Sequence, residues 1–189
     1  MLPKQPTGGG IPPQIIRLLK MRVIDNFLPT HLHKKLVKDL LSPDFPWYFG
    51  AKISEDVDSS VENFQFSHLF YSYLPHLRSG HYDSISAFDK VHRKVYTRIK
   101  ANLEPHRETA FKSAFHYDYV DEKGNPYTSL EVGIYYLNSC NGYTEFEDGK
   151  KVDSVANRML LFNNGLKHRG VSQTDTRYRC VLNFNSMPL

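Results

Sequence analysis

Two short segments of the sequence place a histidine two residues before an aspartate, a spacing suited to metal binding. The first is His81-Tyr82-Asp83 and the second is His116-Tyr117-Asp118. On a β-strand, side chains two residues apart point to the same face, so the imidazole and the carboxylate can serve as two ligands of one ion. Nine histidines in 189 residues make an accidental match common, so the surrounding sequence must separate the two segments.

The segment around His81 and Asp83 is better explained as the start of a helix. From Ser84 onward, apolar residues recur at steps of three and four, which predicts an amphipathic helix to about Lys100. The residues that set this period are Ile85, Phe88, Val91, Val95 and Ile99. Asp83 or Ser84 would then accept a backbone N–H as the helix N-cap, which favours a structural role for this segment.

The second segment lies in Lys112–Tyr119, which is predicted to be a β-strand. One histidine follows Asp118 in the sequence, His168, and it opens a later predicted strand directly after a turn. Two neutral imidazoles and one carboxylate, with the other coordination positions open, are typical of non-haem Fe(II) oxygenases. The same three residues also suit zinc, which more often binds three protein ligands and one water.

The predicted last strand, Thr176–Asn185, helps to choose between these metals. Arg177, Arg179, Val181 and Asn183 share one face of it. Two arginines facing an apolar pocket are costly unless an anion meets them. A dicarboxylate cosubstrate fits, because one end can chelate the metal while the far carboxylate takes a two-pronged guanidinium contact. The alternative is that this face is exposed to solvent and both arginines are surface residues.

The rest of the sequence predicts a mainly β protein with flanking helices. Twelve Tyr and twelve Phe favour β-structure, and a helix is predicted over residues 30–41. After Asn102, many short strands at near-regular spacing indicate a sandwich or barrel. Residues 1–14, with three consecutive glycines, are predicted to be a flexible tail, and residues 15–189 a single domain.

The overall composition argues against several classes of protein. The net charge of +4 is spread along the chain without a dense Lys/Arg run, which favours a solvated surface over a nucleic-acid partner. Two cysteines, Cys140 and Cys180, predict free thiols in a reducing cytoplasm. No apolar run approaches about 18 residues, and the N-terminus lacks a secretory signal, so we expect a cytoplasmic protein without membrane contact.

Together these motifs resemble those of the Fe(II)- and 2-oxoglutarate-dependent dioxygenases, specifically the prolyl-4-hydroxylase-like branch. The resemblance covers roughly residues 99–186, and it rests on five elements in a matching order and spacing. These are His116-x-Asp118, Ile134-Tyr135-Tyr136-Leu137-Asn138, Gly142-x-Thr144-x-Phe146, His168 after Leu161-Phe162 and a turn, and Arg177-Tyr178. The chain also resembles the small oxygenases common in marine phage genomes, which would place it in a host cytoplasm.

The resemblance implies a double-stranded β-helix, which is a cupin-like jelly roll. The jelly-roll core would span about residues 99–186, and residues 15–100 would supply helical support from outside. The prediction for the whole chain is therefore one oxygenase domain that follows a short tail.

The resemblance also implies a set of site residues and cofactors. Fe(II) would be bound by His116, Asp118 and His168, which are also the catalytic residues. The cosubstrate 2-oxoglutarate would be held by Arg177 and Tyr136. O₂ is the third reactant, and ascorbate is a further expected ligand.

Two features depart from the pattern of this family. The family often carries a tyrosine on the strand before His-x-Asp, whereas this chain has Glu104-Pro105-His106-Arg107 in that region. The chain also has a second arginine, Arg179, on the same face as Arg177. Arg179 either aids anion binding or pairs with an acid.

The implied reaction is hydroxylation of a C–H bond coupled to conversion of 2-oxoglutarate to succinate and CO₂. The branch favours a prolyl side chain in a peptide or protein as the substrate of a monomeric enzyme. A free amino acid, another small metabolite or alkylated nucleic acid are the alternatives for the same chemistry. A jelly roll that binds a ligand or metal without turnover is the alternative from a different class.

Overall fold

The protein is described by a computed structural model that covers residues 21–53 and 63–187. The predicted flexible tail, residues 1–14, lies outside the described residues. Within them the chain forms antiparallel β-sheets and two short α-helices, α1 (Thr30–Leu40) and α2 (Ala87–Val91). In this part of the chain, no helix has the length and apolar character needed to cross a membrane.

The described strands form a larger and a smaller sheet. The larger sheet contains β1 (Arg22–Ile24), β2 (Tyr48–Gly50), β3 (Gln65–Ser72), β4 (Leu77–Arg78), β5 (Val95–Pro105), β6 (Glu131–Tyr136), β9 (Arg158–Asn163) and β11 (Tyr178–Met187). Its order is β1-β9-β6-β11-β5-β3-β2, with β4 paired to β3. The smaller sheet contains β7 (Tyr143–Phe146), β8 (Lys151–Asp153) and β10 (His168–Val171), in the order β10-β7-β8.

Alternating side chains of β6 divide the core into two layers. Tyr135 is fully buried on the helix side, where it packs in one cluster with residues of α1 and α2. Ile134 and Tyr136 point the other way, into a second cluster that also contains Phe146 of the smaller sheet. This alternation is the pattern expected of a strand with both faces covered, and the space between the two sheets is where the candidate site lies.

The helix predicted over residues 30–41 is confirmed, but the one predicted from Ser84 to Lys100 is wrong beyond Val91. A short 3₁₀ segment (Tyr82–Ile85) leads into α2, which ends at Val91. Arg93 then adopts a φ of 48°, in the left-handed region that interrupts a helix. From Val95 the chain continues as β5.

The long strand β5 pairs with β3 on one side and β11 on the other, and this pairing outweighs the helical period of its apolar residues. Its alternation gives two distinct faces. Ile99 and Ala101 are buried in the core cluster on the helix side. The opposite face carries Arg98, Lys100, Asn102 and Glu104, all of which line one cavity.

Candidate metal centre

The candidate centre is built on a short backbone pairing between His116 and His168. The segment predicted as the strand Lys112–Tyr119 is not a continuous strand, and it pairs with β10 only through isolated bridges. The His116 N–H donates to the His168 carbonyl at 2.9 Å, and the His168 N–H donates back at 3.1 Å. Residues directly opposite in an antiparallel pair carry their side chains on one face, and the two imidazole centroids are 4.7 Å apart.

Asp118 brings a carboxylate oxygen to the two imidazoles. Its Oδ1 lies 3.5 Å from His116 Nε2 and 3.4 Å from His168 Nε2. One ligand atom from each residue can be chosen so that all three lie within 4.8 Å of one another. Two nitrogens and one oxygen at this spacing fit a divalent transition metal, with the remaining coordination positions left for other ligands.

Backbone carbonyls orient both imidazoles for this role. His116 Nδ1 lies 3.1 Å from the Ala114 carbonyl oxygen, and His168 Nδ1 lies 3.3 Å from that of Leu166. Because a carbonyl only accepts, each Nδ1 must carry the proton and donate it. In the neutral form of each ring, Nε2 then keeps a lone pair directed at the centre, which is the arrangement found around metal-bound histidines.

Two side chains of the larger sheet hold the other oxygen of the Asp118 carboxylate. Asn185 Nδ2 donates to Oδ2 at 2.7 Å, and Arg98 Nη2 donates to the same oxygen at 3.3 Å. Arg98 Nε also donates to Asn185 Oδ1 at 3.0 Å, so the two partners fix each other. With Oδ2 occupied in this way, Oδ1 is the oxygen presented to the histidines.

Electrostatics keep Asp118 ionised and make His116 a stronger base. Burial alone would raise the pKa of Asp118, but His116, His168 and the charge of Arg98 hold it well below its ordinary value. Burial would lower the pKa of His116, yet the hydrogen bond and charge of Asp118 outweigh it and raise this pKa. A bound cation would therefore displace a proton that His116 holds more tightly than a free imidazole.

The centre lines a cavity of about 240 Å³ between the two sheets. Alternate residues of β5 and β11 form its larger-sheet wall. These are Arg98, Lys100, Asn102 and Glu104 from β5, and Arg179, Val181 and Asn183 from β11. The opposite wall includes Thr144 and Gly170 from the smaller sheet. The cavity is more polar than a typical small-molecule pocket, so its ligands must carry charge or hydrogen-bonding groups.

Arg179 reaches this cavity, whereas Arg177 does not. Arg177 precedes β11 and is exposed, so the structure does not bring it to the predicted site. Arg179 is buried; its Nε donates to Ser154 Oγ at 2.9 Å and its Nη1 to Glu104 Oε1 at 3.1 Å. Within the described residues its Nη2 makes no hydrogen bond. The choice left open by the sequence is thus resolved in part, because Arg179 does pair with an acid.

The Gly142-x-Thr144-x-Phe146 segment supports this end of the cavity. A Cβ at Gly142 would lie 2.8 Å from Arg179 Cδ, so only glycine lets the arginine pass. Thr144 Oγ1 accepts a hydrogen bond from the Tyr136 hydroxyl at 2.8 Å, and Tyr136 lies fully buried beneath the guanidinium. Burial raises the pKa of Tyr136 to about 12, so it stays a neutral donor.

Three residues beside the centre are not singled out by the sequence motifs. Arg98 and Asn185 bind the Asp118 carboxylate, and Lys100 lines the cavity. Arg98 and Lys100 fall within the segment predicted as helix, which hides their shared face. The available signal is the strict alternation of polar and apolar residues from Arg98 to Glu104, which has the period of a strand.

Comparison with known proteins finds similarity in structure alone. No family model and no curated protein matches the sequence. A 2OG-Fe(II) oxygenase family oxidoreductase from Burkholderia pseudomallei has a TM-score of 0.63 and 10% identity, covering 97% of this chain and 93% of that one. A Trichoplax adhaerens prolyl hydroxylase, in complex with a hypoxia inducible factor peptide, has a TM-score of 0.58 and 16% identity, covering 92% and 86%.

A third similar structure contains a metal and the cosubstrate. HygX from Streptomyces hygroscopicus, with nickel and 2-oxoglutarate bound, has a TM-score of 0.57 and 10% identity, covering 93% of this chain and 85% of that one. At these identities the likeness shows the fold. The chain has the jelly-roll fold of the 2-oxoglutarate and Fe(II) oxygenases, and the fold predicted from the sequence is confirmed.

Replacing either histidine with alanine is expected to abolish metal binding, because each supplies one of three ligands. Calorimetric titration of Mn²⁺ into His116→Ala and His168→Ala should show a loss of metal affinity. This loss should exceed the roughly 10–100-fold that is typical when a residue hydrogen-bonded to a metal ligand is removed. His31→Ala is the matched control, since His31 is exposed on α1. Wild-type affinity in either site variant would contradict the assignment of these ligands.

Metal affinity is also expected to fall as the pH falls. Binding needs a neutral His116, and in the metal-free protein its pKa lies above the ordinary value of 6.5. Protons therefore compete increasingly below that raised pKa, and affinity should drop about tenfold per pH unit for each imidazole that must deprotonate. Mn²⁺ titrations between about pH 8 and pH 5.5 measure this slope. A constant affinity across that range is the contrary result.

Proposed function

We propose that this protein is an Fe(II)- and 2-oxoglutarate-dependent dioxygenase that hydroxylates a C–H bond. The observation that carries the proposal is the convergence of His116 Nε2, His168 Nε2 and Asp118 Oδ1 in one cavity. Arg179 lines the same cavity and supplies a cation for a second anionic group. The fold shared with 2-oxoglutarate and Fe(II) oxygenases supports this combination of sites.

Fe(II) is favoured over zinc because the three ligands share their cavity with a buried guanidinium, which suits a metal that works with a diacid cosubstrate. His116, Asp118 and His168 would hold the metal on one face and leave its other positions to the cosubstrate and O₂. When bound, Fe(II) supplies the redox chemistry that couples O₂ reduction to oxidation of 2-oxoglutarate and substrate. One oxygen atom goes to succinate, formed with release of CO₂, and the other becomes the substrate hydroxyl.

Arg179 is the residue proposed to bind the far carboxylate of 2-oxoglutarate. Its Nη1 lies 3.7 Å from the place where a Cβ at Gly170 would stand. Gly170 is two residues from His168 on β10, so the two positions are about 6.6 Å apart along the strand. This distance suits a short diacid that extends from the metal toward Arg179. Glu104 and Ser154 fix two guanidinium nitrogens, which leaves Nη2 for the carboxylate. Tyr136 supports this end of the site through Thr144 rather than by lining the cavity.

Prolyl residues in peptides are one substrate class in the panel to test. Prolyl hydroxylases are among the similar structures, and the Trichoplax adhaerens protein was solved with a peptide. Free amino acids, other small metabolites and alkylated nucleic acid complete the panel. Ascorbate binding, a monomeric state, a cytoplasmic location and a single domain over residues 15–189 stay predictions.

The proposed activity predicts metal-dependent formation of succinate from 2-oxoglutarate. Protein loaded with Fe(II) should release succinate faster when a member of the substrate panel is added, and hydroxylated product should accumulate in equal amount. The same mixtures with chelator, or with His168→Ala, should release none. If wild-type protein binds Fe(II) and 2-oxoglutarate but releases no succinate with any panel member, the proposal fails in favour of a binding protein.

Arg179→Ala is expected to raise the 2-oxoglutarate concentration required for turnover. Loss of a charge-assisted contact should raise the KM for 2-oxoglutarate by about 10–100-fold. Arg177→Ala is the matched control, because Arg177 is exposed two residues away and should leave the KM unchanged.

Arg179→Ala also leaves Glu104 buried without its partner, which destabilises the fold. Arg179→Lys, which keeps the charge, should therefore be compared with it, and the melting temperature of each variant recorded. A folded Arg179→Ala protein with an unchanged KM, or a raised KM in Arg177→Ala alone, would show that the wrong arginine has been chosen.

A further inference from the structure

Among the described residues that line the cavity, Lys100 is a cationic side chain left without a partner by the proposed metal and cosubstrate. Arg98 is paired with Asp118, and Arg179 is paired with Glu104. Lys100 lines the same cavity, and within the described residues it has neither an ion-pair partner nor a hydrogen bond. Burial and the nearby charge of Arg98 lower the pKa of Lys100, whereas Asp118 acts in the opposite direction. The positive charge of its ammonium is therefore only partly balanced by negative charge nearby.

Two amide oxygens on the same wall also lack partners. Asn102 Oδ1 and Asn183 Oδ1 are buried, and neither makes a hydrogen bond within the described part of the chain. In the register of β5 and β11, Lys100 lies directly opposite Asn183, and Asn102 lies opposite Val181. The three polar groups thus share one face of two adjacent strands. A buried acceptor without a donor is destabilising, so two in one cavity indicate a ligand that donates to them.

The charges around the cavity favour a ligand that brings a carboxylate to Lys100. Three cationic side chains and two carboxylates from the described residues line it: Arg98, Lys100, Arg179, Glu104 and Asp118. Bound Fe(II) and 2-oxoglutarate would add two positive and two negative charges, which cancel. One positive charge is then left over, and it belongs to the unpaired lysine. A carboxylate placed beside Lys100 would pair with this charge.

The position of Lys100 favours the substrate over the cosubstrate as the source of this carboxylate. Along the paired strands, Lys100 is four residues from the Glu104–Arg179 pair, about 13 Å at the spacing of a β-strand. It is only two residues from Arg98, which holds the metal ligand Asp118. Lys100 therefore lies toward the metal end of the wall, where a substrate carbon must be placed for oxidation.

We propose that the substrate is a free amino acid, whose carboxylate binds Lys100 and whose ammonium donates to the Asn102 and Asn183 oxygens. This inference rests on the proposed function and names the substrate class for it. A free amino acid supplies both the missing anion and the missing donors within one small molecule. A prolyl residue inside a peptide supplies neither, because its carboxyl group is an amide and its nitrogen carries no hydrogen.

The test compares free L-amino acids with the same amino acids as carboxamides, and with prolyl peptides capped at both ends. Binding is measured by calorimetry on protein loaded with Mn²⁺ and 2-oxoglutarate without O₂, and turnover is measured as succinate release with Fe(II). At least one free amino acid should bind and stimulate turnover. Its carboxamide should bind at least tenfold more weakly, and the capped peptides should have no effect.

Substitution of Lys100 then locates the contact. Lys100→Met, which removes the charge and keeps the bulk, should weaken binding of the stimulating amino acid about 10–100-fold. The affinity for 2-oxoglutarate should change less than twofold. Asn183→Leu should also weaken amino-acid binding, and Lys90→Met, at an exposed lysine of α2, should leave it unchanged.

Three results would overturn this inference. They are the failure of every free amino acid to bind, stimulation by capped prolyl peptides that Lys100→Met leaves intact, and a loss of 2-oxoglutarate affinity in Lys100→Met. Failure of the proposed function is distinguishable, because it would appear as Fe(II)-loaded protein that releases no succinate in any mixture. The calorimetric measurement of amino-acid binding still decides the inference in that case.

Discussion

The candidate site depends on the backbone pairing that sets His116 directly opposite His168. Two hydrogen bonds between these residues fix the distance and direction of both Cβ atoms before any metal is present. Carbonyl acceptors on each Nδ1 then fix the ring tautomers, and Asp118 closes the triangle from the same segment. A site preorganised in this way avoids most of the conformational entropy that three free side chains would lose on binding an ion.

The two central strands of the larger sheet determine how the buried charges are partnered. Asp118 is stable as a carboxylate inside the protein because Arg98 and Asn185 satisfy the oxygen that faces away from the histidines. At the other end, Arg179 is neutralised by Glu104. Between these two ion pairs, the cavity wall carries polar groups that have no hydrogen-bond partner among the described residues. The cavity therefore has two parts: one in which the polar groups are paired with each other, and one in which they would be paired by a ligand.

Strands with clear turn signals and a strong apolar pattern can be recognised in the sequence, as β9 (Arg158–Asn163) shows with its apolar run followed directly by Asn164-Gly165. The helix predicted through Lys100 failed because the apolar residues of β5 happen to follow a helical step. The pairing of β5 with two neighbouring strands overrides its helical pattern, and the local sequence gives no signal of this pairing. Arg177 and Arg179 are two residues apart and would share one face of a strand, so the sequence cannot show which of them reaches the cavity. Only the start of β11 at Tyr178, a boundary that is hard to predict, leaves Arg177 outside the cavity.

The most direct test of the account is anomalous diffraction from crystals of the protein grown without O₂ in the presence of Mn²⁺ and 2-oxoglutarate. We expect one strong manganese peak in the cavity, within about 2.2 Å of His116 Nε2, Asp118 Oδ1 and His168 Nε2. We also expect density for the diacid extending from that peak toward Arg179. A cavity without a metal peak, or a peak bound by other residues, would contradict the central claim that these three side chains form a metal centre.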